Sequence, residues 1–141
     1  MAWDPETRGV LELPSGRRVR GRRLSAAALP VPEWGVSLAL RDPDPDWPHR
    51  WICWPDFGLP LHPGRAWEVL SEAWVRSEHE RVELACRGGR GRTGTALAAL
   101  AILDGLDAAS AVDLVRAGYD RRAVETPWQR RWLERGPTTR T

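Results

Sequence analysis

The apolar positions of this chain change period several times, and each change marks an element. "GVLEL" (9–13) alternates, Pro14-Ser15-Gly16 interrupts it, and "RRVRG" (17–21) follows, so the chain opens on a short β-hairpin. "WGVSLAL" (34–40) and "RWICW" (50–54) are apolar runs bounded by Pro-, Asp- and Gly-rich stretches, which predicts two buried strands. From Pro63 the period lengthens: Trp67, Leu70 and Trp74 recur at helical spacing, with Glu68, Glu72 and Arg76 on other faces. "RVELAC" (81–86) reads as a strand again. "TALAALAILD" (95–104) is apolar all round and too long for a strand, so it predicts a helix buried at the centre. Gly105 stops that helix, and Asp107 is placed to cap the next one, up to Gly118. Thr126-Pro127-Trp128-Gln129 has capping-box spacing with proline at the first helical position, and Gly136-Pro137 ends the last helix.

Strands that alternate with helices predict the α/β class: a single layered domain with a short, mainly parallel central sheet flanked by helices. The expected organisation is one domain over 1–141, with a hairpin region at 1–25, a core at 34–135 and a tail at 136–141. A chain of this length buries roughly two thirds of its unfolded surface in one core.

Composition changes the picture only at the margins. Every basic side chain is arginine, and neither lysine nor asparagine occurs, a pattern of GC-rich and hence bacterial coding. The formal charge of +2 is too small to imply nucleic-acid binding, although arginines bunch at 17–23, 87–92 and 121–135. Two cysteines, Cys53 and Cys86, make no disulfide framework and read as free thiols of a reducing cytoplasm. The N-terminus lacks a cationic start followed by an apolar stretch, and no apolar run is long enough to span a bilayer. His49, His62 and His79 show no metal-ligand spacing, so neither metal nor cofactor is expected.

Chemistry concentrates in "VELACRGGRGRTGTALAAL" (82–100). Cys86 closes a predicted strand and Thr93 enters the buried helix. A loop so placed aims successive backbone N–H groups and the positive end of a helix dipole at one point. Gly88, Gly89 and Gly91 permit the tightly curled backbone this needs. Arg92 can return a planar fork of donors suited to two phosphate oxygens. A free thiol has a pKa near 8.5, so a reactive cysteine needs several such groups acting together. The plain alternative is a solvated glycine turn before a helix.

"CRGGRGRT" (86–93) resembles the Cys-x5-Arg-Ser/Thr signature loop of the cysteine-dependent protein tyrosine phosphatases. "WPDFGLP" (54–60) resembles their general-acid loop, with Asp56 lying 30 positions before Cys86. The resemblance covers about 34–135 and implies a tyrosine-phosphatase-like fold and a phosphomonoester hydrolase without cofactor. It implies Cys86 as nucleophile and Asp56 as general acid. Arg92, with the backbone of Arg87, Gly88, Gly89, Arg90 and Gly91, would hold phosphate. Thr93 would steady the departing thiolate. In "ETPWQ" (125–129), Gln129 would position water, with Glu125 in the place of a first glutamine.

Two departures stand out: the family's histidine before the cysteine is Ala85 here, and that first glutamine is Glu125. Basic residues at Arg87 and Arg90, and no obvious tyrosine-bearing recognition loop, leave dual-specificity or phosphoinositide activity open beside phosphotyrosine. From another class, a catalytically weak phosphate-binding module also remains. The implied partner is a phosphorylated protein or a small phosphomonoester, with no nucleic acid and no membrane span; nothing in the sequence sets the oligomeric state. A protective Cys53–Cys86 disulfide is a further possibility, since both residues end predicted strands.

Overall fold

A computed structural model describes residues 2–137. Among them the chain forms five strands and four helices: β1 Val10–Glu12, β2 Arg18–Arg23, β3 Trp34–Ala39, β4 His49–Cys53, α1 Pro63–Arg76, β5 Val82–Cys86, α2 Gly91–Leu103, α3 Ala108–Gly118 and α4 Pro127–Arg135. The sheet runs in the order β1-β2-β5-β3-β4, with β1 antiparallel to β2 and the other pairs parallel. The predicted α/β class and the mainly parallel sheet are what the structure has.

Strand alternation divides the sheet into two unlike faces. Val19, Val36, Leu38, Val82, Leu84 and Cys86 lie on the face that joins the hydrophobic core, where α1 and α2 pack. Helices α3 and α4 pack in turn against α2. Every residue of α2 from Gly91 to Ala101 is buried, and its alanines let neighbours approach closely. A Cβ on Gly94 would stand 2.4 Å from that of Ala123. Trp132 of α4 stacks on Trp67 of α1, with ring centres 4.8 Å apart, and meets Trp54 edge-on at 5.5 Å. These three indoles tie both helices to the segment after β4.

The opposite face carries charge. Arg20 on β2 is paired in register with Glu83 on β5, and both are buried. Glu83 Oε2 accepts from Arg20 Nε and Arg22 Nε, each at 2.9 Å. Trp3 closes over this pair: its Nε1 donates to Val82 O at 2.8 Å, and Arg20 stacks on its ring. The predicted hairpin exists, yet it is no appendage. β2 sits beside β5 in the middle of the sheet's order, and its last residue, Arg23, is level with Cys86.

Two further expectations are revised. Helix α2 begins at Gly91, two residues before Thr93, so Arg92 already belongs to its first turn. The possible Cys53–Cys86 disulfide is excluded, because β3 lies between β4 and β5, with Ala39 paired to Cys53 and Leu38 to Cys86. Two strand spacings put the cysteines about 9–10 Å apart, beyond the reach of a disulfide. Both thiols are free. Gly136, with φ +70°, ends α4, and the rest of the predicted tail from 138 onward lies outside the described residues. No helix of the described residues is long and apolar enough to cross a membrane.

Candidate active site

Cys86 is the last residue of β5 and only 1% exposed. Its Sγ accepts from Gly89 N–H at 3.1 Å. The chain bends through Arg87–Arg90 and enters α2 with no side-chain cap and no acidic residue in the first turn. The first N–H groups of a helix have no intrahelical acceptor and stand at the positive end of its dipole, so this entry is prepared for an anion. Gly89 is required twice over: its φ is +68°, and an added Cβ would lie 2.8 Å from the backbone N of Arg23. At Gly91 an added Cβ would lie 2.0 Å from Glu125 Oε1, so glycine there makes room for that carboxylate.

A residue that motif reading passes over also holds this loop. The Tyr119 hydroxyl, just past the end of α3, donates to Gly89 O. Its ring fits only because position 21 is glycine, where a Cβ would meet it at 2.5 Å. In a trans peptide C=O and N–H point opposite ways, so holding Gly89 O toward Tyr119 turns the Arg90 N–H away from it. Burial above all, then the nearby charges of Cys86 and Asp120, pushes the Tyr119 pKa well up and keeps the hydroxyl a donor.

The Arg92 guanidinium is 5% exposed and turned toward the segment after β4. Its Nη1 donates to Trp54 O at 3.0 Å, and Nη2 stands 3.6 Å from Asp56 Oδ1. Its Nε is buried with no protein partner among the described residues, which leaves that donor unspent. Trp54 is fully buried and anchors the turn internally, its Nε1 donating to Gly58 O at 2.8 Å. Asp56 is 60% exposed, so its carboxyl lies at the boundary between buried arginine and solvent. Next to it, Phe57 has φ +59°, a left-handed conformation that a bulky residue adopts only under constraint.

The start of α4 supplies that constraint. Trp128 Nε1 donates to Phe57 O at 2.6 Å, and Gln129 Nε2 donates to Gly58 O at 3.2 Å. Gln129 is fully buried and its Oε1 accepts from the N–H groups of Glu125 and Thr126, completing the predicted capping box with Thr126. Glu125 itself is exposed and follows Val124, a β-branched residue at φ +60°. Thr93 is fully buried, and its hydroxyl has no protein partner among the described residues.

The structure therefore sets Cys86 against the loop that enters α2, pairs Arg92 of the first turn of that helix with Asp56, and puts Glu125 Oε1 against Gly91 and Gln129 against Gly58. Arg87, Gly88 and Arg90 are exposed at the rim, and Arg90 Nε lies 3.4 Å from Asp120 Oδ2. Ala85 borders a cavity of about 320 Å³ whose walls include Arg22, Ser37, Trp47 and Glu83. Among the described residues, no three of His, Cys, Asp and Glu gather in a way that would hold a metal ion.

Comparison with known proteins bears on the family and the fold. The sequence model of the protein-tyrosine phosphatase family matches residues 42–123, more than half of the chain. Two solved structures share its fold: Tk-PTP in its active form, with a TM-score of 0.65, and a mutant form of Tk-PTP, with 0.61. Each is 24% identical over 85% of this chain, covering 90% and 88% of its own. A search of curated proteins finds no match.

Proposed function

Given that the chain belongs to the protein-tyrosine phosphatase family, we propose that Cys86, Arg92 and Asp56 hydrolyse a phosphomonoester, foremost phosphotyrosine, through a cysteinyl-phosphate. The Cys86 thiolate attacks phosphorus in line, forming an S–P bond while the P–O bond to the leaving group breaks. Asp56 gives its proton to the departing oxygen. The N–H groups of the 87–92 loop and the Arg92 guanidinium hold the equatorial oxygens through the transition state. In the second step water attacks phosphorus, Asp56 takes up its proton, and the S–P bond breaks to release inorganic phosphate. The family resemblance assigns Gln129 and Glu125 to orienting that water, and assigns to the departing thiolate the Thr93 hydroxyl, which has no protein partner among the described residues.

One observation carries this reading: a single buried arginine lies against the acid segment at Trp54 O and Asp56, in the first turn of the helix whose entry loop donates to the Cys86 sulfur. The exposed arginines 87 and 90 favour a second reading, in which dual-specificity or phosphoinositide substrates are also accepted. Two free thiols suit a reducing, cytoplasmic setting, and a composition with arginine and no lysine suits the GC-rich coding of a bacterium.

The experiment is turnover of an aryl phosphate by the parent, Cys86→Ser and Asp56→Ala proteins. Cys86→Ser abolishes turnover yet still binds vanadate, because the cradle is backbone and Arg92. Asp56→Ala loses about 10²–10⁴-fold on a poor leaving group and much less on an activated one. Chelators leave the parent unaffected. Turnover of Cys86→Ser within tenfold of the parent removes the covalent mechanism.

A further inference from the structure

The sheet is hollow behind Cys86, on its charged face. β3 and β5 pair Gly35 with Glu83 and Ser37 with Ala85, so these four positions form a square on the side away from the core. Glycine, serine and alanine fill little of the space beside Glu83, and a cavity of about 320 Å³ stands over the square. Its roof comes from two segments, Leu24, Ala26 and Ala28 after β2, and Pro43, Pro45 and Trp47 between β3 and β4. Both segments are tied down. Arg22 Nη1 donates to the carbonyls of Arg23, Leu24 and Ala26. Asp42 Oδ1 accepts from Asp44 N–H at 2.8 Å and lies 2.9 Å from His49 Nε2, which closes the second segment on itself.

The lining narrows what can fill this space. Its walls are mainly apolar with a few polar groups at the floor, the composition of a small-molecule site. Those groups are buried, Ser37 at 4% exposed and Glu83 at 1%. Glu83 Oε2 already accepts from Arg20 Nε and Arg22 Nε, which leaves Oε1 as the oxygen for an occupant. Trp47 aims its Nε1 at the sheet, since a Cβ on Gly35 would stand 2.6 Å from that atom. An indole N–H only donates, a carboxylate only accepts, and a serine hydroxyl does either. A molecule that suits this floor therefore brings one N–H and one acceptor. A carboxylate or phosphate would set its charge beside that of Glu83, whose two arginines are engaged. A hydrocarbon would leave buried polar groups without partners.

We propose that this cavity is a binding site for a small uncharged azole, a flat ring that carries an N–H and a bare ring nitrogen. The N–H meets Glu83, and the bare nitrogen accepts from Trp47 or Ser37. The site lies behind the nucleophile and apart from the phosphate loop. Ala85 is part of its wall, and the next side chain, Cys86, lies on the core face of the same strand. An occupant and an oxyanion can therefore be bound together.

The test is calorimetric titration of the full chain with pyrazole and with imidazole, at about pH 8, above the ordinary imidazole pKa of about 6.5. One site is expected, with a Kd of about 1 mM, as suits so small a ligand. Saturating vanadate leaves that Kd within about twofold. Ala85→Leu fills the hollow and weakens binding by about tenfold or more. Ser37→Ala keeps the shape of the square and weakens binding about threefold. Thermal melts check that both variants fold, and Ala85→Val replaces Ala85→Leu if the larger side chain unfolds the chain. Thiophene, a ring of similar shape with no N–H, binds about fivefold more weakly than pyrazole. Absence of binding by both azoles, displacement by vanadate, or unchanged affinity in the folded Ala85 variant overturns the proposal. Equal binding of thiophene and pyrazole overturns the hydrogen-bonded placement of the ring.

Discussion

Tyr119 shows what a motif leaves out. Cys86, Arg92 and Asp56, proposed above for catalysis, each belong to a contiguous string that a reading of the sequence can single out. Tyr119 reaches Gly89 across 30 positions and only because Gly21, on a third segment, vacates the space for its ring. No local period encodes such a contact. Tyr119→Phe keeps the ring and removes the hydroxyl. Turnover is expected to fall about three- to tenfold, and stability at neutral pH by about 0.5–1.5 kcal/mol, the worth of one hydrogen bond. The raised Tyr119 pKa adds a second readout. Below about pH 10 the phenol is protonated whether the chain is folded or unfolded, so stability does not depend on it. Above that, the unfolded chain loses the proton and the folded one retains it, so parent stability drops by up to about 1.4 kcal/mol per pH unit. Denaturant melts at rising alkaline pH should show this slope in the parent and its absence in Tyr119→Phe. Ala85 is the complementary case. The cavity beside it is wide enough for an imidazole near Glu83. Ala85→His should therefore fold, and a cation behind Cys86 favours the thiolate. The acid limb of the pH–rate profile should move down by up to about one unit; an unmoved limb sinks this account.

At the scale of elements, start and stop signals were readable wherever they were local. The Asp107 cap, the Thr126–Gln129 capping box and Gly136 at the end of α4 all stand where the sequence put them. The sequence did not show that the capping box faces the acid segment 71 positions away, so that Gln129 both closes a helix and holds Gly58. Trp128 does the same for Phe57 O from an exposed position. Trp128→Phe tests whether this tether places Asp56. Losing the indole N–H should lower kcat severalfold on phenyl phosphate, whose leaving group needs its proton, and leave an activated aryl phosphate nearly untouched. Stability should change by less than about 1 kcal/mol, since one partly exposed hydrogen bond is lost. An equal loss on both substrates would mean that the tether acts on something other than proton transfer.

The whole molecule explains the arginine run at 17–23, which the sequence shows only as a bunching of charge. Pairing between distant strands is decided by non-local packing, and β2 slots in beside β5 because Arg20 and Arg22 converge on Glu83. The arrangement is costly to break from one side. Arg20 and Glu83 are 2% and 1% exposed, so removing the carboxylate charge leaves a guanidinium with neither water nor counter-ion. Glu83→Gln keeps the shape and one acceptor oxygen but not the charge. Breaking a buried pair this way typically costs about 3–5 kcal/mol, a large share of the 5–15 kcal/mol that stabilises a typical domain. Arg20→Met alone should be similarly damaging, because it strands Glu83 with Arg22 as its remaining partner. Arg20→Met with Glu83→Leu removes both buried charges, and Arg22, being less buried, can turn toward solvent. The double variant should therefore be more stable than the two single losses predict when summed. Urea unfolding of the parent, Arg20→Met, Glu83→Leu and the double variant at neutral pH measures this coupling, with Glu83→Gln beside them as the isosteric loss of charge. A Glu83→Gln protein within about 0.5 kcal/mol of the parent, or strictly additive losses, would show that apolar packing under Trp3, rather than the ion pair, holds β2 against the strand that ends in Cys86.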